Sequence, residues 1–221
     1  MTGRITLVGG NKGGGGKSTI ASNVATGFAL AGRDTCILDA DIQGSTTLWN
    51  SFRIERNIEP KITVMQGKGN IAPLLLDLAE RYQEVVVDVA GRNSKEFLAA
   101  GGVADVIISP ALSSQFDLAT LEELQEQFGR WKLVNPELEL YLYHSRANTH
   151  AGVRKKERKE FLQYLDYYPE FKVLDSIIFE RTPFREVIPQ GLGILETTYR
   201  DAAQARQEIK DLMKEVFNVV Y

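Results

Sequence analysis

With one cysteine in 221 residues, the chain forms no intramolecular disulfide, and a reducing cytosol is the expected compartment. That cysteine, Cys36, lies in the apolar run Thr35-Cys36-Ile37-Leu38 and is expected to be a buried strand thiol. A strong charge of either sign is missing too. Lys plus Arg number 26 against 29 Asp plus Glu, a net charge of −3, so any nucleic-acid surface has to be a local patch. No apolar run approaches about 18 residues, which argues against a membrane-spanning helix. Met1 to Val8 lacks the ordered charged and apolar regions of a cleavable signal. Histidines number 2, and no second ligand cluster supports a metal site at His144, which is expected at a strand end. No internal repeat or low-complexity linker divides the chain. At 43% apolar and 25% charged, residues 1–221 suit one globular domain with a sizeable core.

What the sequence does hold is a glycine loop. The β-branched and apolar run from Arg4 to Gly9 predicts a buried strand, and a helical pattern through Val24, Phe28 and Leu30 follows; Gly32 is its expected stop. Between them stands Asn11-Lys12-Gly13-Gly14-Gly15-Gly16-Lys17-Ser18-Thr19. The strict G-x-x-x-x-G-K-[ST] pattern fails by one residue, because Gly10-x-x-x-x-Gly15 leaves Gly16 where the lysine belongs. The form that fits is Lys-Gly-Gly-x-Gly-Lys-Ser, with a second lysine, Lys12, near its start. Gly13, Gly14, Gly15 and Gly16 let successive backbone N–H groups curl round a phosphate without side-chain clash. Lys17 is expected to neutralise phosphate oxygens and the Ser18 hydroxyl to ligate Mg²⁺.

Two further segments carry acids at the ends of predicted strands. After Leu38 comes Asp39-Ala40-Asp41-Ile42-Gln43-Gly44. Alternation along an extended segment would turn Asp39 and Asp41 toward one Mg²⁺–phosphate site, on the face where α/β sheets bind ligands. Glu84-Val85-Val86-Val87-Asp88-Val89 is the clearest buried strand, and Asp88 stands where a metal-holding carboxylate is required. Gly91 is then placed to approach a terminal phosphate, with Arg92-Asn93-Ser94 as a switch.

The rest alternates strand and helix. Strands are expected at Ile62–Met65, Asp105–Pro110 (ended by its proline), Leu138–His144 and Val173–Phe179. Helices are expected at 45–50, with Trp49 packed inside, at 71–81 capped by Asn70, at 116–128, from Gly152 to near Tyr168, and at 199–221. The last of these carries Ile209, Leu212, Met213, Val216 and Val220 at core spacing. Arg154, Lys155, Lys156, Arg158 and Lys159 form the densest basic run. It is either a solvated helix face or, with Arg185, a stripe for sequence-independent contact with DNA phosphates. Six or more apolar strands alternating with helices predict an α/β fold, a doubly wound, mostly parallel sheet with helices on both faces. Lys17, Ser18, Asp39, Asp41 and Asp88 together point to Mg-dependent nucleoside-triphosphate hydrolysis by positioning and electrostatics.

The loop Lys12-Gly13-Gly14-Gly15-Gly16-Lys17-Ser18-Thr19 resembles the deviant Walker A loop of the ParA/MinD ATPases, and Asp39-Ala40-Asp41-Ile42-Gln43 resembles their D-x-D-P-Q element with Ile42 in place of proline. The resemblance spans nearly the whole chain and implies a P-loop fold of the deviant Walker type with ATP as the nucleotide. It implies that Lys12 reaches the phosphates bound by the other subunit of an ATP-dependent homodimer, that Asp41 orients the attacking water and that Asp39 supports the Mg²⁺ shell. Gly13 to Thr19 would cradle the phosphates, and Arg146, Pro183 and Phe184 would contact adenine. The length is similar to that of the small, ParF-like partition proteins. In that subgroup the expected partners are nucleoid DNA bound without sequence preference and a small ParB-like or adaptor protein that stimulates hydrolysis. A McdA-like cargo-positioning relative carries the same motifs. Two alternatives stand beside it. A MinD-like membrane regulator is disfavoured because Glu208, Asp211 and Glu215 balance Lys210 and Lys214, so no membrane partner is expected. A metabolic or electron-transfer P-loop enzyme is disfavoured by the lone cysteine and the lack of a second domain.

Overall fold

A run of apolar residues that tolerates no alternation has to be covered on both faces, and three such runs form the middle of the fold. They are β1 (Arg4–Val8), β2 (Thr35–Ala40) and β4 (Glu84–Val89), in which nearly every residue is buried. The computed structural model describes residues 2–10, 14–91, 94–112 and 118–221. With β3 (Thr63–Gln66), β5 (Val106–Ala111), β6 (Glu139–Ala147) and β7 (Lys172–Phe179), these strands build one seven-stranded parallel sheet in the order β3-β2-β4-β1-β5-β6-β7. The edge strand β7 buries alternate residues over much of its length, as one-sided burial requires, while β3 exposes Thr63 and Gln66 and half-buries Val64 and Met65.

Helices cover both faces. On one side α3 (Ala72–Arg81), α4 (Lys95–Gly101), α5 (Leu118–Val134) and α6 (Ala151–Leu165) bring Leu75, Phe97, Phe128 and Phe161 onto the sheet. On the other, α1 (Lys17–Leu30), α2 (Ser45–Glu55), the single turn α7 (Pro183–Glu186) and α8 (Ala203–Phe217) contribute Phe28, Trp49, Phe184 and Ile209. Phe28 and Phe217 meet edge to face at 4.7 Å, which locks α8 to α1. The expected stop at Gly32 is present: its φ of 76° closes α1, and its N–H donates to the Ala29 carbonyl. Cys36 is buried, and burial lifts its thiol to about 12, which makes it inert.

Several boundaries differ from the sequence expectation. Pro110 does not end β5. The ladder to β1 stops at Val8–Ile108, so the missing proline N–H has no partner to lose on that side, and pairing with β6 continues through Ala111 and His144. The fifth helix runs to Val134, not Phe128. Asn218 adopts φ 54° and ends α8, which turns Val219 into the core and leaves Val220 exposed. Nor are the α8 acids simply solvated. Glu215 accepts from the Asp175 and Ser176 N–H groups, and Glu208 accepts from the Phe179 N–H and pairs with Arg181, so both cover the open edge of β7.

His144 lies within β6 and is fully buried, not at a strand end. Its ring stacks on Phe161 with centroids 5.0 Å apart, and among the described residues neither ring nitrogen has a hydrogen-bond partner. Burial, helped by the Arg158 charge, lowers its pKa to about 4, against about 6.5 when unfolded. Between those values the unfolded chain binds the extra proton, so stability falls as pH drops through that window, by about 3 kcal/mol in all. His144→Phe is expected to flatten the melting temperature against pH from 6.5 to 4. An unchanged slope would contradict this account of the histidine.

Candidate functional site

The register of the central strands sets the site. Asp39 on β2 and Val8 on β1 both stand level with Asp88 on β4, so all three reach the carboxyl edge of the sheet together. There β1 gives way to the glycine loop, and α1 begins at Lys17. Gly16, at φ 79°, is the residue before the helix and gives it no side-chain cap, and a helix N-terminus facing a glycine loop is a setting that attracts anions. No acidic residue occupies that first turn.

Asp88 is the centre of the charge arrangement. It is fully buried, and among the described residues neither carboxylate oxygen has a hydrogen-bond partner. Burial pushes its pKa up to about 7, with the charges of Asp39 and Asp41 adding to the rise. The Ser18 hydroxyl and Lys17 pull it back, Ser18 from close by though short of hydrogen-bonding geometry. Lys17 is itself buried. Desolvation lowers its pKa, and the charges of Asp88 and Asp41 oppose that fall.

Asp39 and Asp41 do not face the site in the same way. Strand β2 ends at Ala40, so alternation stops before Asp41. The Asp39 carboxylate accepts from the Thr47 N–H at 2.8 Å, the Thr47 hydroxyl at 2.7 Å and the Asp41 N–H at 3.3 Å, which anchors the start of α2 to β2. Asp41 is half-buried, and its Oδ1 accepts from the Gln43 N–H at 2.9 Å.

Mg²⁺ fits this set. A small hard cation takes one or two carboxylates, a hydroxyl and its own waters, with phosphate oxygens completing the shell. Asp88 and Ser18 offer the inner donors, and Asp39 and Asp41 surround them with negative charge. Among the described residues no cluster of three His, Cys, Asp or Glu side chains is arranged to hold a metal.

Beside the loop lies a cavity of about 220 Å³ lined by Gly16, Thr19, Ile20, Arg146, Phe179 and Phe184 among others. Phe184, one of the residues expected at a base, is part of that wall. Pro183 is buried and outside the lining. Arg146, also expected at a base, lines the cavity too, and its guanidinium is held by two partners. It donates to the Gly14 carbonyl at 2.7 Å and to Glu180 at 2.6 Å. Lys12 and Gly13 of the loop, and Arg92 and Asn93 of the switch, lie outside the described residues. Ser94 caps α4 by accepting from the Phe97 N–H.

The basic run is split by the fold. Arg154, Lys155, Lys156 and Lys159 are exposed on α6. Arg158 turns inward, donates to the Leu174 carbonyl at 2.7 Å and stacks on Phe161, so it leaves the DNA-facing set. Arg185 pairs with Glu180. Thr47, Ser145 and Glu180 carry no motif and were not legible beforehand. Only the continuation of β6 beyond His144 hinted at Ser145.

The profile of the CobQ/CobB/MinD/ParA nucleotide binding domain matches residues 6–218. The chain is 23% identical to the maintenance of carboxysome distribution protein A of Halothiobacillus neapolitanus, over 93% of this chain and 92% of that protein. Its fold is similar to an ATP complex of a substituted Cyanothece McdA, at TM-score 0.74 and 15% identity, covering 96% of each chain. It is also similar to a plasmid partition protein from Borrelia burgdorferi, at TM-score 0.67 and 16% identity, covering 98% of this chain and 100% of that one. Among the described residues no helix is long and apolar enough to cross a membrane.

Proposed function

The chain belongs to the CobQ/CobB/MinD/ParA nucleotide-binding family, and on that premise we propose that it is a Mg-dependent ATPase of the ParA type that positions or partitions a cargo. The observation that carries this is Asp88, a buried carboxylate with both oxygens unpartnered among the described residues, level with Asp39 and facing Lys17 and Ser18 at the open end of α1. Bound there, Mg²⁺ would offset charge on the phosphate oxygens. The chain's own groups do the rest. Gly13 to Thr19 cradle the phosphates with backbone N–H groups, Lys17 neutralises the charge that builds during transfer, and Asp41 orients the attacking water with its carboxylate. Lys12 acts from the second copy of an ATP-bound homodimer. The cavity beside Phe184 takes the base.

The dimer would ride nucleoid DNA in the cytoplasm through the exposed lysines of α6 and answer to a small partner protein that speeds hydrolysis. The terminal helix supports this over a membrane-bound regulator, because Glu208 and Glu215 bind it to β7 through the Phe179, Asp175 and Ser176 N–H groups. The test is binding to arbitrary duplex DNA with ATP and with ADP at two salt concentrations. ATP-dependent binding without sequence preference, weakened by salt, is expected; none in either state contradicts the DNA-riding role. Asp41→Ala is expected to retain ATP affinity while hydrolysis falls about 10²-fold. Undiminished turnover would remove Asp41 from water orientation.

A further inference from the structure

Strand β6 breaks two rules of regular structure at one place. Its register to β7 slips between Leu142 and His144 and again between Ser145 and Ala147, and Arg146 takes φ 52°, a left-handed conformation uncommon for a residue with a side chain. A bulge re-aims side chains, and strain of this kind persists only where the surroundings hold it. The two side chains aimed here meet the same target. The Ser145 hydroxyl, fully enclosed, donates to the Gly15 carbonyl at 2.9 Å, and Arg146 donates to the Gly14 carbonyl at 2.7 Å.

The target matters because of how a phosphate cradle works. N–H groups that point inward at an anion leave their neighbouring carbonyls pointing outward. Gly15 is buried, so its outward oxygen lacks water and has to be met by a protein donor. Glycine loops have no side chains with which to fix themselves, and Gly14 and Gly16 sit at φ 78° and 79°, open to many alternatives. The other end of the Arg146 guanidinium reaches Glu180, whose carboxyl it holds below the usual carboxylate range, and Glu180 lines the adjoining cavity.

We propose that Ser145 and Arg146 are positioning residues for the phosphate loop, holding the carbonyls of Gly15 and Gly14 outward so that the loop is set for a triphosphate before one arrives. This rests on the nucleotide reading of the site and assigns Arg146 a role different from contact with the base. β6 thereby serves as the loop's buttress, and the Arg146–Glu180 pair ties the cradle to the wall of the base cavity.

Equilibrium binding of Mg-ATP and of Mg-tripolyphosphate, which has no base, tests this on the intact chain. Ser145→Ala removes the donor to a buried acceptor, and Arg146→Gly removes the guanidinium while suiting the left-handed backbone. Both variants are expected to bind each ligand about 10-fold more weakly. Arg146→Gly is expected to melt no lower than the unsubstituted chain, which separates positioning from stability. Loss for ATP alone, with tripolyphosphate unaffected, would return Arg146 to base contact and overturn the proposal, as would unchanged affinity for both ligands. If the unsubstituted chain binds neither ligand, the nucleotide reading fails, and this inference with it, before any substitution is made.

Discussion

Lys17→Ala is expected to lower phosphate release from Mg-ATP by about 10³-fold while moving the melting temperature little. The ammonium is buried, and desolvation opposes its charge, while Asp88 and Asp41 support it. Replacing it removes the burial cost together with those attractions, and Asp88, whose pKa stands at about 7, can take up a proton instead of staying a buried uncompensated charge, so the fold changes less than the chemistry does. The transferred phosphoryl group, in contrast, would lose the cation proposed to meet it at the start of α1. Turnover within tenfold of the unsubstituted chain would place the phosphates elsewhere. The readouts are a phosphate-release assay and a melting curve on the same preparation.

The second large effect concerns the fold. Arg53→Ala is expected to destabilise the chain by about 3–5 kcal/mol, a fall in melting temperature of roughly 6–20 °C for a protein of this size. Arg53 lies on α2, only 2% of its side chain is exposed, and its guanidinium is fully used. It donates to both oxygens of Glu196 at 2.8 and 2.7 Å, to the Gly191 carbonyl at 3.0 Å and to the Pro60 carbonyl at 2.6 Å from the nearer nitrogen. Alanine leaves a buried carboxylate and two carbonyls without their donor. Replacing both charges, as Arg53→Met with Glu196→Leu, is expected to recover part of the loss, because the uncompensated charge is then gone. A fall of less than about 1 kcal/mol in the single variant would show that water reaches the carboxylate. Since the start of α2 is held to Asp39 by Thr47, the same variant also tests how far the site depends on this helix.

The parts of this structure that were legible in sequence are those with short-range causes. A glycine run between an apolar strand and a helical pattern can form little else, and the parallel sheet follows from strands buried on both faces. Asp88 was identified because the apolar run Val85-Val86-Val87 closes on it. Asp39 and Asp41 were harder, since alternation assumes an extended chain and β2 ends between them. Arg158 and His144 illustrate the remaining limit. Charge density on a helix does not reveal which cation turns inward, and a histidine at the end of an apolar run looks the same whether the strand stops or continues. Ser145 and Glu180 owe their places to a bulge and to a chain crossing between distant elements, neither of which leaves a local pattern.

The measurement that bears most directly on the central claim is calorimetric titration of ATP into the chain with and without Mg²⁺. The expected result is saturable binding of one nucleotide per chain, tighter with Mg²⁺ and weakened by Asp88→Asn, as a buried carboxylate unpartnered among the described residues and placed behind the glycine loop requires. No heat at millimolar ATP, or binding indifferent to both Mg²⁺ and Asp88, would contradict it.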